Sequence, residues 1–334
     1  MKPLISILMP VKNAEKHLTE SIQSVLNQSA TNWELIAAND HSNDSTPSIL
    51  KYFSEIDKRI KVYTNEGSGI IQALRTAYKN SKGELIHRMD ADDLMSKNKL
   101  EVLSSALSKG GKGSVATAKV SYFSDGKLQD GYKKYANWLN KLCEENTHWS
   151  EIYKECVIAS PNWLIHRSDL DECGAFLPNR YPEDYDLVFR LYENRLKVVS
   201  AKEVTHYWRD HEKRSSRNLE VYKDNDFFEL KWDYFQRNEI NSKRPLLIWG
   251  AGRKGKKLAR LLNDLSIEYE WVSNNPKKHG KEIYEQILQS FKTIIKKSNP
   301  QIIVAVGQLG AKKEIRRFLN TNQLIENKDF WFFC

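Results

Sequence analysis

Four short apolar runs alternate with helix-patterned segments at the start of the chain, and this alternation sets what it can fold into. The runs are Leu4–Met9, Trp33–Ala38, Ile60–Tyr63 and Leu85–Met89. Leu18, Ile22, Val25 and Leu26 stand at helical spacing, which predicts an amphipathic helix over Glu15–Asn27. The turn cluster Asn39-Asp40-His41-Ser42-Asn43-Asp44-Ser45-Thr46 opens a second helix that runs to about Ile56, and Ile70–Tyr78 reads as a third. Repeated strand–helix order implies a mostly parallel central sheet with helices on both faces. Ligands of such sheets bind beyond the carboxyl ends of the strands. Asp40 and the run Asp90–Asp93 both fall at that edge.

Composition removes several classes. Apolar residues make up 40% of the 334, which excludes wholesale disorder. No stretch approaches the roughly 18 apolar residues of a spanning helix. The start, Met1 to Met9, is too short for a signal peptide, is interrupted by Pro10 and lacks a cleavage site. Cys143, Cys156, Cys173 and Cys334 are scattered without zinc or disulfide spacing, as expected of thiols in a reducing compartment. The expected setting is the cytoplasm or the inner face of a membrane. The net charge is +9, yet residues 1–243 carry 35 basic and 35 acidic side chains, and residues 244–334 carry 17 and 8. The surplus therefore belongs to the C-terminal part, and a boundary is expected near Lys243.

The middle is rich in aromatic residues, among them Tyr122, Trp138, Trp163, Tyr181, Tyr185 and Trp208. Leu219–Arg237, with Tyr222, Phe227, Leu230, Tyr234 and Phe235, predicts a helical linker over 216–243 that packs on the first domain. From residue 244 a second α/β unit begins. Its expected strands are Pro245–Trp249, Glu268–Val272 and Gln301–Val306, with helices over Lys256–Leu265, Tyr284–Lys297 and Lys312–Leu319. Gly250-x-Gly252-x-x-Gly255 lies between a strand and a helix, the context of a dinucleotide turn. The second strand ends in Val272-Ser273-Asn274-Asn275, without the acid that would bind a ribose. That leaves a Rossmann-like packing or docking module, with an NAD(P)-binding oxidoreductase as the alternative.

Arg88-Met89-Asp90-Ala91-Asp92-Asp93 is the sharpest motif. Carboxylates crowded at a strand end require a positive partner, and Mg²⁺ or Mn²⁺ would supply one. A helix N-cap is the other reading of the same triplet. Glu183-Asp184 heads a helical pattern over Tyr185–Glu193, so it too is either an N-terminal pair or a catalytic one.

Taken in order, Pro10-Val11-Lys12-Asn13-Ala14-Glu15, the Asn39–Thr46 cluster, Asn65-Glu66-Gly67, Ala73-Leu74-Arg75, Arg88–Asp93 and Glu183-Asp184-Tyr185-Asp186-Leu187 resemble a family 2 glycosyltransferase of the GT-A fold, over about residues 4–215. The resemblance implies a nucleotide pocket at Pro10, Lys12, Asn13, Glu15 and Asp40, with Arg75, Arg88 and Arg209 as further donor contacts. It implies that Asp90 and Asp92 form the metal-binding DxD motif, and that His211 completes the metal shell. It makes Asp184 the general base of an inverting transfer, with Glu183 beside it. Lys12 and Arg75 depart from the family, which commonly has an aromatic residue and Asn there, and both would add positive charge near the diphosphate.

The expected domains are thus a GT-A domain at 1–215, the linker at 216–243 and a Rossmann-like domain at 244–334. The expected activity moves a sugar from a UDP-sugar to a hydroxyl of a glycan or lipid-linked acceptor, as in bacterial-type surface polysaccharide synthesis. Mn²⁺ or Mg²⁺ is the expected cofactor, and no nucleic acid is expected as a partner. A non-catalytic sugar-binding module is the other reading of this half. The basic C-terminal part, with Lys254, Lys256, Lys277, Lys312 and Lys313, would suit peripheral contact with an anionic membrane.

Overall fold

The structure is a computed structural model that describes residues 2–334 except 125, 127–129, 213, 215–216, 218–226 and 309. It divides into two compact units, Met1–His148 with Val157–Lys223, and Trp149–Cys156 with Asp224–Cys334.

The first unit follows the sequence pattern closely. Its elements are β1 (Ile5–Val11), α1 (Leu18–Leu26), β2 (Trp33–Asn39), α2 (Thr46–Ile56), β3 (Ile60–Thr64), α3 (Ile70–Lys79) and β4 (Leu85–Arg88). There follow β5 (Leu94–Met95), α4 (Lys99–Gly110), β6 (Ser114–Phe123), α5 (Asp130–Glu145), β7 (Trp163–His166), α6 (Arg167–Glu172), α7 (Glu183–Glu193) and β8 (Lys197–Arg209). The eight strands lie in the order β3-β2-β1-β4-β7-β6-β8-β5. The first four are mutually parallel. β7 runs antiparallel to β4 and β6, and β5 antiparallel to β8.

β1 and β2 are apolar along nearly their whole length because both faces are covered. Ile7, Met9, Leu35 and Ala37 share one core with Ile22 and Val25 of α1 and Leu100 and Leu103 of α4. Parallel register then fixes the functional edge. Val11 lies opposite Asn39, and Leu8 opposite Arg88, so the residues that follow β1, β2 and β4 emerge side by side.

The second unit holds a five-stranded sheet with the order β13-β10-β9-β14-β15. Here β9 is Leu246–Trp249, β10 Glu270–Ser273, β13 Gln289–Ser290, β14 Gln301–Val304 and β15 Phe330–Phe332, all parallel. A small antiparallel pair, β11 (Glu282–Ile283) and β12 (Gln286–Ile287), precedes β13. The helix expected over Tyr284–Lys297 is therefore absent. That stretch forms β12, β13 and a 3₁₀ turn over Phe291–Lys296, because β10 needs a neighbour on its open edge. The helix expected over Leu219–Arg237 covers Phe228–Asn238 in the structure, and 218–226, Tyr222 included, lie outside the described residues. The contact pattern groups this helix with the second unit, where Phe235 meets Trp331 and Phe333 at ring distances of 4.9 and 5.3 Å.

Gly250-Ala251-Gly252 makes the expected turn between β9 and the helix Arg253–Asp264. Gly250 has φ +129°, and a Cβ on Gly255 would lie 1.9 Å from the Gly250 carbonyl oxygen. That oxygen also accepts the buried Trp271 indole N–H at 2.7 Å. The glycine spacing is thus required by packing, whatever the turn binds. Glu270, the acid nearest the end of β10, pairs with Lys297 at 2.6 Å. Among the described residues no helix is long and apolar enough to cross a membrane, and all four cysteines are buried thiols outside any disulfide.

Gly255→Ala forces the turn apart and is expected to destabilise the second unit by about 1–3 kcal/mol or more. Urea unfolding followed by tryptophan fluorescence measures this, and an unchanged midpoint contradicts the packing account.

Candidate active site

The end of β4 carries a buried cation between two acids. The Arg88 side chain is 6% exposed; its Nε donates to Asp90 Oδ1 at 3.0 Å and its Nη1 to Glu183 Oε1 at 3.1 Å. Burial alone would weaken its charge, but Asp90, Glu183 and Asp184 more than compensate, so the guanidinium stays protonated. One side chain thereby ties the Asp90–Asp93 loop to the start of α7. Glu183, Asp184 and Asp186 fill the first turn of that helix, where the helix dipole favours negative charge. Burial, joined by the charge of Asp184, outweighs Arg88 and pushes the Glu183 carboxyl up to about 7. Asp184 Oδ1 accepts the Tyr185 N–H at 2.8 Å.

Asp92 faces the other way. Its Oδ2 is 2.8 Å from His211 Nε2, and both side chains are partly open, at 31% and 20%. Burial works against the Asp92 charge, yet the His211 hydrogen bond and the Arg214 charge hold its carboxyl below the usual range. The His17 ring lies 5.0 Å from that of His211. Arg209 Nε donates to the Asp92 carbonyl at 2.9 Å, and its Nη2 bonds Glu20. Asp92 offers an oxygen of the kind Mn²⁺ and Mg²⁺ take, and His211 an imidazole nitrogen that Mn²⁺ accepts more readily than Mg²⁺, with phosphate and water oxygens to complete the shell. Asp90 is turned toward Arg88, and among the described residues no three such side chains close into a ready-made cage.

At the end of β2, Asp40 is held by three donors. Asn65 Nδ2 reaches Oδ1 at 2.6 Å, the Gly69 N–H reaches both oxygens at 3.1 Å, and Lys12 Nζ reaches Oδ2 at 2.9 Å. Asn13 and Glu15 stitch the loop after β1 to the loop after β2. The Asn13 N–H donates to Ser42 Oγ, while Asn13 Oδ1 and Glu15 Oε2 accept the N–H groups of Asn43 and Ser45. Pro10 lies within β1 opposite Ala38. Arg75 is occupied elsewhere, donating from Nε to the Phe176 carbonyl at 2.7 Å and from Nη2 to that of Leu177. The structure therefore joins Arg88, Asp90 and Glu183 in one group and Asp92, His211 and Arg209 in another. Lys12 forms a third with Asp40, and Arg75 stands apart on backbone carbonyls.

Beneath the acidic loop lies a buried chain that the motif reading did not single out. Lys99 Nζ donates to the Pro161 carbonyl at 2.7 Å and to His206 Nδ1 at 2.9 Å. His206 Nε2 in turn donates to Asp93 Oδ2 at 3.0 Å, and Asp93 Oδ1 accepts the Arg209 N–H at 2.8 Å. Burial pushes Lys99 down to about 7 against the pull of Asp93 and Asp90. The signal was present in outline, since Lys99 shares the buried stripe of α4 with Leu103 and Leu107 at four-residue spacing. A lysine on an apolar stripe requires a partner, but its partners are more than sixty residues away in sequence.

The sequence model described as "Glycosyl transferase family 2" matches residues 6–174. Over 107 residues the chain is 44% identical to the Escherichia coli UDP-Glc:alpha-D-GlcNAc-diphosphoundecaprenol beta-1,3-glucosyltransferase WfgD, covering 32% of this chain and 42% of that protein. The structure of S. aureus TarS 1-349 in complex with UDP-GlcNAc superposes with a TM-score of 0.56 at 18% identity, covering 78% of this chain and 71% of that one. The mannosyltransferase PcManGT from Pyrobaculum calidifontis, in complex with GDP-Man and Mn2+, gives 0.54 at 16% identity, with 73% and 67% covered. At these identities the two structures establish a shared GT-A fold. The chain spans 40–58% of the length of the curated relatives it matches first. With half of its residues matched by the family's own pattern, on a sheet of the family's fold, the chain belongs to glycosyl transferase family 2.

Proposed function

We propose that this chain transfers a sugar from a UDP-sugar to a hydroxyl of a glycan or lipid-linked acceptor, with inversion at the transferred carbon, during surface polysaccharide assembly. The observation that carries the reading is Arg88, buried between Asp90 of the acidic loop and Glu183 of the α7 pair. It supports a single site with a diphosphate end and a proton-accepting end. The relatives favour this donor and acceptor class: WfgD is named for UDP-Glc and a diphosphoundecaprenol-linked sugar, and TarS holds UDP-GlcNAc.

Each side chain has one task in this scheme. Asp184 takes the proton from the acceptor hydroxyl as that oxygen attacks the sugar carbon. Glu183, fixed by Arg88, orients the acceptor and keeps the α7 terminus in place. Asp40, fixed by Asn65 and Gly69, accepts a hydrogen bond from the base or ribose. Asp92 and His211, with Asp90 behind them, would hold Mn²⁺ or Mg²⁺, which when bound would supply Lewis acidity to the diphosphate leaving group. Arg209 and the Lys99–His206–Asp93 chain keep that loop in position. The second unit acts as a docking module, and its basic surface suits an anionic membrane.

UDP release from a UDP-sugar, followed with Mn²⁺ or Mg²⁺ and with EDTA, tests the assignment. Chelation is expected to abolish release, and Asp92→Ala and Asp184→Asn each to lower kcat by roughly 10²–10⁴-fold. Full activity in both variants overturns it.

The pH profile supplies a second check. The ion pair with Arg88 that holds the start of α7 needs an ionised Glu183, and burial has raised that carboxyl to about 7. As pH drops through the neutral range Glu183 takes up a proton and the pair is lost, so kcat/KM is expected to fall there, well above the ordinary carboxylate range, and Glu183→Gln to remove that limb. A wild-type limb at ordinary carboxylate pH contradicts this arrangement.

A further inference from the structure

We infer that Arg75 is a positioning residue for the transfer: it clamps the loop ahead of α7 and so sets where Asp184 stands. The inference rests on the proposal that Asp184 is the base. It places Arg75 in service of the proton-accepting group, in place of the diphosphate contact that its charge alone suggests.

The clamp is a fork. Arg75 projects from α3 and donates from Nε to the Phe176 carbonyl at 2.7 Å and from Nη2 to the Leu177 carbonyl. These two successive carbonyls lie between α6 and α7. A guanidinium holds its N–H groups in a rigid plane, so it fixes both carbonyls at once, and its charge strengthens each bond. Asn, which the family commonly has at this position, carries a single, shorter donor nitrogen and makes no such fork. The same helix grips this region again through Tyr78. Its hydroxyl donates to Asp171 Oδ1 at 2.5 Å, and its ring meets that of Phe176 edge-on at 5.6 Å. At the start of α3, the Tyr181 hydroxyl lies 3.5 Å from where a Cβ on Gly69 would stand. The loop is thus fastened to α3 near both of its ends.

The path from this loop to the base is tightly packed. Ile71 and Leu74 of α3, Phe176 and Pro178 of the loop, and Glu183 and Asp186 of α7 surround a void of only about 10 Å³. That is no more than one water needs. Interiors this dense transmit a displacement rather than absorb it. Arg88 holds Glu183 from the sheet, and Arg75 holds the approach to it from α3. The Gly69 N–H, just ahead of α3, also donates to Asp40. One helix therefore contacts both the Asp40 group and the segment that leads to Asp184.

Two measurements on the full chain, each with Mn²⁺, test this: UDP release from UDP-glucose or UDP-GlcNAc with water as acceptor, and calorimetric titration with UDP. The variants are Arg75→Met, Arg75→Lys, and Arg75→Met combined with Asp184→Asn. Arg75→Met is expected to bind UDP with wild-type affinity and stoichiometry while kcat falls ~10–100-fold, the cost of a misplaced catalytic group. Arg75→Lys, which keeps the charge without the fork, is expected to recover part of that loss. In the Asp184→Asn background Arg75→Met is expected to cost less than ~3-fold, because both substitutions act on one step. An unchanged kcat in Arg75→Met overturns the inference, and so does an equal loss in both backgrounds. Weakened UDP binding overturns it by making Arg75 a diphosphate contact. A UDP stoichiometry reduced in step with kcat overturns it by making Arg75 a support of the fold alone. If the wild type releases no UDP, or Asp184→Asn alone keeps full activity, the proposed base itself fails, and the inference with it.

Discussion

The placement of Arg88 is the constraint on which the site depends. A guanidinium at 6% exposure carries a desolvation penalty of several kcal/mol unless its charge is answered. Asp90 and Glu183 answer it from two elements far apart in sequence. Each acid is in turn favoured at its half-buried place because Arg88 is there. The acidic loop and the start of α7 thus cannot be arranged independently. An acidic loop and a helix start become two parts of one ion-paired group.

The same logic extends to the neighbouring acids. Asp93 is fully buried and answered by His206 and the Arg209 N–H, while Lys99 answers His206 from behind. Asp40 is answered by Lys12, Asn65 and Gly69. Asp40, Asp90, Asp93 and Glu183 are thus each engaged by protein donors. Asp92, held through one oxygen by the partly exposed His211, is the most accessible of them.

Much of the first unit was legible because its signals are local. Short apolar runs and helical spacing placed β1 to β4 and α1 to α3 within a few residues, and the parallel register brought Asp40 and Asp90–Asp93 to one edge. Interactions that span the chain were not legible. Nothing beside Lys12 announces that it pairs with Asp40 rather than reaching a phosphate, and nothing near Arg75 foretells the carbonyls of Phe176 and Leu177. Lys99 and His206 became a pair only once α4 packed on β8. The helix expected over Tyr284–Lys297 misled for a related reason. A two-residue strand such as β13 has no periodicity to detect and exists because β10 offers an unpaired edge. In the second unit the glycine turn is explained by the close approach of Gly255 to the Gly250 carbonyl, so its glycines say less about a ligand than their spacing implied.

The central claim is that Arg88 joins a leaving-group end and a base end into one site for a single in-line displacement, and the anomer of the first product tests this most directly. With an α-linked UDP-sugar and water as acceptor, ¹H NMR in the first minutes resolves the sugar released before mutarotation. The account predicts the β anomer, formed by attack opposite the departing diphosphate with Asp184 as base. Release of the α anomer would contradict it, because retention requires a second displacement or a same-face attack that this arrangement does not provide.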